Sequence, residues 1–203
     1  MADEDQVPAR YRISFDELRH DQNNMHAIEK VKRLAESFGV RSYDLCKDND
    51  GREVVKVSKE LIPERGLILY GKVGTGKSTL LGALALSVYA NGHSAKWIHW
   101  TNLVKKIAPR NRDEDIFDSL AKTSCLIVDD LGKFVPPDFI VAHVGSLIEL
   151  RYGSKLPIVA ATNATKDELQ ASIGLPALSR LHEMCEQIEV LGPDRRLVQV
   201  ATM

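Results

Sequence analysis

The sequence predicts an α/β fold, a mostly parallel sheet covered by helices on both faces. Three observations lead there. Short runs such as Leu67–Tyr70, Ser124–Asp129 and Pro157–Ala161 are apolar through their interiors, the pattern of strands buried on both sides. Each run breaks at glycines or at polar strand-ending residues and is followed by a helix-length segment. The chain has 203 residues, 44% of them hydrophobic and 27% charged, which suits one domain with a sizeable core.

Residues 1–12 are polar and carry a proline, and are expected to be a mobile tail ahead of a single domain over 13–203. Ser14-Phe15-Asp16-Glu17 fits a capping box. Met25, Ile28, Val31, Leu34 and Phe38 recur every three or four residues, one helical stripe that stops at Gly39. Lys30, Lys32 and Arg33 are read as its solvated face. Arg41–Lys47 and Arg52–Val57 flank Asp48-Asn49-Asp50-Gly51, a hairpin pattern, so residues 40–62 are expected to form a hairpin and a connector.

The run Leu67–Tyr70 then leads into a helix over Thr79–Tyr89. Ala95–Trp100 reads as a second strand, with Thr101 capping a helix over Asn102–Ala108. A helix over Asp113–Lys122, the strand Ser124–Asp129 and a helix over Asp138–Tyr152 follow. Next come the strand Pro157–Ala161, a capping box at Thr165–Glu168 and a helix opened by Pro176. Strands at Gln187–Leu191 and near Leu197–Val200 end the chain.

Between the run at 67–70 and the helix after it stands Gly71-Lys72-Val73-Gly74-Thr75-Gly76-Lys77-Ser78, the spacing G-x-x-x-x-G-K-[ST] of a P-loop. Glycines let consecutive backbone N–H groups converge on one anion, and the helix N-terminus adds its partial positive charge. Lys77 reaches toward the β- and γ-phosphates and the Ser78 hydroxyl toward Mg²⁺. Gly71, Val73, Gly74, Thr75, Gly76, Lys77, Ser78 and Thr79 are thus the expected nucleotide contacts. The second strand-end motif is Asp129-Asp130. A buried strand delivers Asp129 to the sheet edge where the P-loop opens, to hold the Mg²⁺ hydration shell, and Asp130 is placed to polarise the attacking water. In Thr162-Asn163 the same logic uses neutral groups: Asn163 orients that water and Thr162 supports it.

The 27 basic and 28 acidic residues nearly cancel, so any nucleic-acid contact must be a local patch rather than a global charge. Cys46, Cys125 and Cys185 have no metal-ligand or disulfide spacing, which argues against zinc and suits a reducing cytoplasm. No apolar run is long enough to span a membrane, and none is expected.

Gly71–Ser78, Leu126–Asp130, Thr162-Asn163 and Ser179-Arg180-Leu181 stand in an order that resembles the AAA+ ATPases. Within that class, Asp129-Asp130-Leu131-Gly132, the helix Met25–Phe38 and the Ser-Arg-Leu box resemble the DnaC/IstB group of helicase loaders and transposition ATPases. The resemblance covers residues 14–191. It implies a five-stranded sheet in 5-1-4-3-2 order and ATP-Mg²⁺ bound between neighbouring subunits of a ring or spiral. It makes Arg180 an arginine finger acting in trans. It also implies a grip on single-stranded DNA, for which the segment carrying Lys105, Lys106, Arg110 and Arg112 is the candidate. Trp97 and Trp100 beside it are expected in the core.

Against that group, only residues 1–12 precede the matching region, and few follow the fifth strand. A helical lid is therefore expected to be absent, and neither Arg195 nor Arg196 is assigned as a sensor. The leading expectation is a compact helicase loader of a phage or mobile element that places a replicative helicase. The alternative is an IstB-like transposition ATPase assembling on duplex DNA. A small-molecule P-loop kinase is a third reading, under which Asn163 and Arg180 have no explanation.

Overall fold

The structure is a computed structural model and describes residues 7–18, 22–40, 42–47, 53–59, 61–108 and 114–195. Five strands form one sheet: β3 (Gly66–Tyr70), β4 (Ala95–His99), β5 (Cys125–Asp129), β6 (Ile158–Thr162) and β7 (Cys185–Glu189). Their spatial order is β4-β5-β6-β3-β7 and every pairing is parallel. Counted from the P-loop strand, this is the expected 5-1-4-3-2 order. The strands are short and apolar on both sides because both sheet faces are covered. Leu67 and Leu69 face one core cluster and Ile68 the other; Ile127 and Val128 divide in the same way.

On the first face lie α1 (Met25–Ser37) and α2 (Lys77–Ala90). On the second lie α3 (Trp100–Ile107), α4 (Glu114–Lys122), α5 (Asp138–Gly153), α6 (Lys166–Ile173) and α7 (Leu175–Met184). The hairpin is present as a separate antiparallel pair, β1 (Ser42–Lys47) with β2 (Glu53–Lys59). Its expected turn, 48–51, lies outside the described residues, as do Asp113 and the strand near 197–200.

Several boundaries differ from the sequence expectation for physical reasons. Residues 7–12 are not a mobile tail. Val7 and Tyr11 are buried, Arg12 Nε donates to the Val7 carbonyl at 2.9 Å, and Tyr11 stacks on Trp97 with centroids 5.7 Å apart. Gly82 makes this possible: a β-carbon there would lie 2.1 Å from the Tyr11 carbonyl oxygen, so only glycine lets the N-terminal segment rest on α2. Met25, counted in the α1 stripe, is 56% exposed, while Ile28, Val31, Leu34 and Phe38 are buried. Trp100 opens α3 rather than closing β4, and no Thr101 cap forms. Its fully buried indole donates to the Phe134 carbonyl at 3.0 Å, a tertiary bond that outweighs the strand-like pattern around it. The strand expected over Gln187–Leu191 begins two residues earlier, at Cys185.

At the far end of the sheet from the motif loops, Arg151 on α5 is wholly buried without a carboxylate. It donates to the carbonyls of Leu120, Ala121 and Thr123 at the end of α4, at 2.9, 3.2 and 2.9 Å, and to Pro157 at 2.7 Å. Those carbonyls carry the partial negative charge of a helix C-terminus. Burial pushes the guanidinium down to about 10. It likewise pushes the Cys125 and Cys185 thiols up to about 12, so both remain protonated and inert. Removing the guanidinium takes a donor from four carbonyls, of which Pro157 keeps the Leu126 N–H at 3.3 Å. Arg151→Ala is therefore expected to cost about 3 kcal/mol or more, read as a lowered urea midpoint.

Candidate nucleotide site

The three motifs meet at the C-terminal edge of the sheet around an open cleft of about 1200 Å³. Gly71, Gly74 and Gly76 have φ of 142°, 80° and 100°, values that side-chain-bearing residues avoid. Gly76 precedes α2, whose N-cap position makes no side-chain capping bond, and the first N–H groups of a helix are a natural anion site. Lys77 Nζ donates to the carbonyls of Gly71 and Lys72 at 2.8 and 2.7 Å, which holds the loop around the ammonium. Thr75 is buried and ties the loop through Oγ1 to the Lys72 carbonyl at 3.0 Å. Val73, Gly74, Gly76, Lys77, Ser78 and Thr79 line the cleft.

Asp129 ends β5 with its carboxylate almost entirely buried. Oδ1 accepts from Ser78 Oγ at 2.9 Å and from the Asp130 backbone N–H at 3.1 Å. Burial raises its pKa, and Asp130 adds to this. The Ser78 hydrogen bond and His99, whose Nδ1 lies 3.4 Å from Oδ2, pull the other way. A hydroxyl and a carboxylate facing each other are the hard oxygen donors that Mg²⁺ takes, so the residues fit that ion.

Asp130 sits at φ 57°, a left-handed conformation that costs a side-chain-bearing residue about 1–3 kcal/mol. This turn rotates its carboxylate into the cleft, where Lys133 Nζ pairs with it at 2.8 Å. The turn is held from both sides. Leu131 N donates to Ala161 O at 2.8 Å, Thr162 Oγ1 donates to Leu131 O at 2.7 Å, and Ser172 joins Trp100 on the Phe134 carbonyl. Thr162 is thus buried beneath the cleft, bracing the loop that bears Asp130, while its neighbour Asn163 faces the cleft.

Arg180 is not among the cleft-lining residues. It lies on α7 and is ion-paired to Glu149. It also donates to the Pro176 carbonyl at 3.2 Å and rests 5.7 Å from the Tyr152 ring centroid. Lys105 and Lys106 are exposed on α3; Arg110 and Arg112 lie outside the described residues.

No motif points to the opposite wall. Arg10, Tyr11 and Ile13 line the cleft from the N-terminal segment, and Pro193 and Arg195 from the strand-end segment after β7. Arg195 N donates to the Gly74 carbonyl at 3.0 Å, and a β-carbon on Gly74 would lie 1.9 Å from the Asp194 carboxylate. These residues belong to no motif. Only the helix-interior Gly82 hinted that another backbone passes close by.

A P-loop, a carboxylate pair and a polar strand end on a 5-1-4-3-2 sheet define an AAA+ nucleotide-binding protein. Residues 14–201 match the family model of the IstB-like ATP binding proteins, and the chain belongs to that family. Family membership implies ATPase activity. The chain is similar to the replicative helicase loader DnaI of Bacillus subtilis, 27% identical over 52% of this chain and 35% of DnaI. It is also similar to the replicative helicase loader DnaC of Escherichia coli, 21% identical over 86% of this chain and 64% of DnaC. The matched part therefore spans between about a third and just under two thirds of these relatives. The crystal structure of the DnaC helicase loader superposes with a TM-score of 0.72 at 18% identity, covering 91% of this chain and all of the other, a likeness of fold.

Lys77→Ala removes the cation at the centre of the loop. Titration with a fluorescent ATP analogue should show binding weakened at least about tenfold; unchanged affinity would contradict the site.

Proposed function

We propose that this chain is an ATP-dependent helicase loader. It binds ATP-Mg²⁺, assembles with further copies of itself, engages single-stranded DNA and helps place a replicative helicase in the bacterial or phage-infected cytoplasm. The observation that carries the assembly is the position of Arg180: one-third exposed on α7, away from the cleft of its own chain. There it serves the γ-phosphate held by a neighbour. The loading role rests on the similarity to DnaC over most of this chain.

In this reading the glycine loop and Lys77 hold the phosphates, and Ser78 and Asp129 hold Mg²⁺, which neutralises phosphate charge when bound. Asp130 accepts hydrogen bonds from the attacking water and draws its proton, after exchanging its contact with Lys133. Asn163 fixes the water's direction, and Thr162 keeps the loop in place. Lys105 and Lys106 meet DNA phosphates, with Arg110 and Arg112 further along the same segment. Because the family model is that of the IstB-like proteins, the second reading is a transposition ATPase that assembles on duplex DNA.

Arg180→Ala should bind ATP as well as the natural chain and lose about 10³-fold in hydrolysis. Mixing it with Lys77→Ala subunits should restore turnover, since each variant supplies what the other lacks. Unchanged turnover of Arg180→Ala alone would remove the finger. Anisotropy of labelled single-stranded and duplex oligonucleotides with ATP separates the two readings. Preference for the single strand supports the loader, and preference for duplex the transposition ATPase. Lys105→Ala with Lys106→Ala should weaken binding and flatten its salt dependence; unaltered binding would return both lysines to the solvated face.

A further inference from the structure

The carboxylate of Asp129 has two oxygens and two different surroundings. Oδ1 takes the Ser78 hydroxyl at 2.9 Å and the Asp130 N–H at 3.1 Å. Oδ2 has His99 Nδ1 at 3.4 Å. The pairing is built into the sheet, because His99 and Asp129 are register partners at the ends of β4 and β5. The imidazole is placed from behind. Its ring meets the edge of Trp97 at 6.2 Å and 73°, and Trp97 is in turn stacked on Tyr11.

A carboxylate turns about its last side-chain bond in a broad, two-fold well. Held at one oxygen only, it can rotate away from Ser78 when that hydroxyl turns to a cation. A donor on the second oxygen removes the freedom. We propose that His99 is a positioning residue for the metal site. Its Nδ1–H holds Asp129 Oδ2 so that Oδ1 stays aimed at Ser78, the pair that would hold the cation. The inference rests on the assignment of Ser78 and Asp129 to Mg²⁺ made above. It requires the tautomer with the proton on Nδ1, leaving Nε2 toward the solvent that reaches the one-third exposed side chain. Partners of this kind, which touch the ligand rather than the metal, change metal affinity by about 10–100-fold.

The test is the affinity of the full chain for a fluorescent ATP analogue, measured with Mg²⁺ and again with EDTA. His99→Ala should lose about tenfold of the gain in affinity that Mg²⁺ gives, with the EDTA value unchanged. His99→Asn, whose amide nitrogen stands near the place of Nδ1, should recover most of that gain. His99→Gln, whose nitrogen reaches the place of Nε2, should not. An equal loss with Mg²⁺ and with EDTA would make His99 a mere support of the cleft and overturn the proposal. So would no loss at all, or equal behaviour of the Asn and Gln variants. If the alanine variant does not fold, the Asn–Gln pair decides alone. Asp129→Asn is the control: retention of the full Mg²⁺ effect there would overturn the metal assignment itself, separately from any result at His99.

Discussion

The site depends on a carboxylate that the fold has taken out of water. Asp129 is 2% exposed at the tip of a strand whose other residues are all apolar. An ionised group in such a place is tolerated only when hydrogen bonds replace its hydration. Ser78 supplies one from the start of α2 and the Asp130 amide another from the turn after β5, while His99 on the neighbouring strand stands 3.4 Å from the second oxygen. Satisfying one acid thus fixes the relative positions of the P-loop helix, the second-acid turn and strand β4. The first two of these line the candidate nucleotide site.

The opposite end of the sheet is pinned by different means. Arg151 gathers the carbonyls that end α4 and the one that precedes β6, and does so from within the core. The bottoms of β5 and β6 are therefore tied rigidly, while their tops open into turns. The strain at Asp130 and the exposed pair Lys133–Asp130 lie on this looser edge. An exposed ion pair of this sort holds by about 1 kcal/mol or less, so it can be exchanged for another partner at little cost.

Legibility in the sequence followed the range of the interactions. Gly71 to Ser78 was readable because its backbone demands are local, and Thr165–Glu168 formed the expected capping box for the same reason. The strand order followed from the resemblance, and strands apolar on both faces agreed with it. What failed was decided at a distance. Nothing near Tyr11 says that it packs on Trp97, and nothing near Trp100 says that its indole finds Phe134. Met25 keeps the helical spacing, yet it falls at the first residue of α1, where it stays 56% exposed. Arg195 reaches the cleft only through the course of the chain after β7.

The left-handed turn at Asp130 also narrows the alphabet at that position. Aspartate and asparagine enter this region of backbone space more readily than longer acids, because their short side chains bond locally. Asparagine keeps the backbone and removes only the negative charge, so it isolates the chemistry of the group. Glutamate keeps the charge but adds a torsional cost and one more methylene to place. At this position the apparently conservative exchange is thus the more disruptive one, and loss of function in a glutamate variant would report on geometry rather than on acidity.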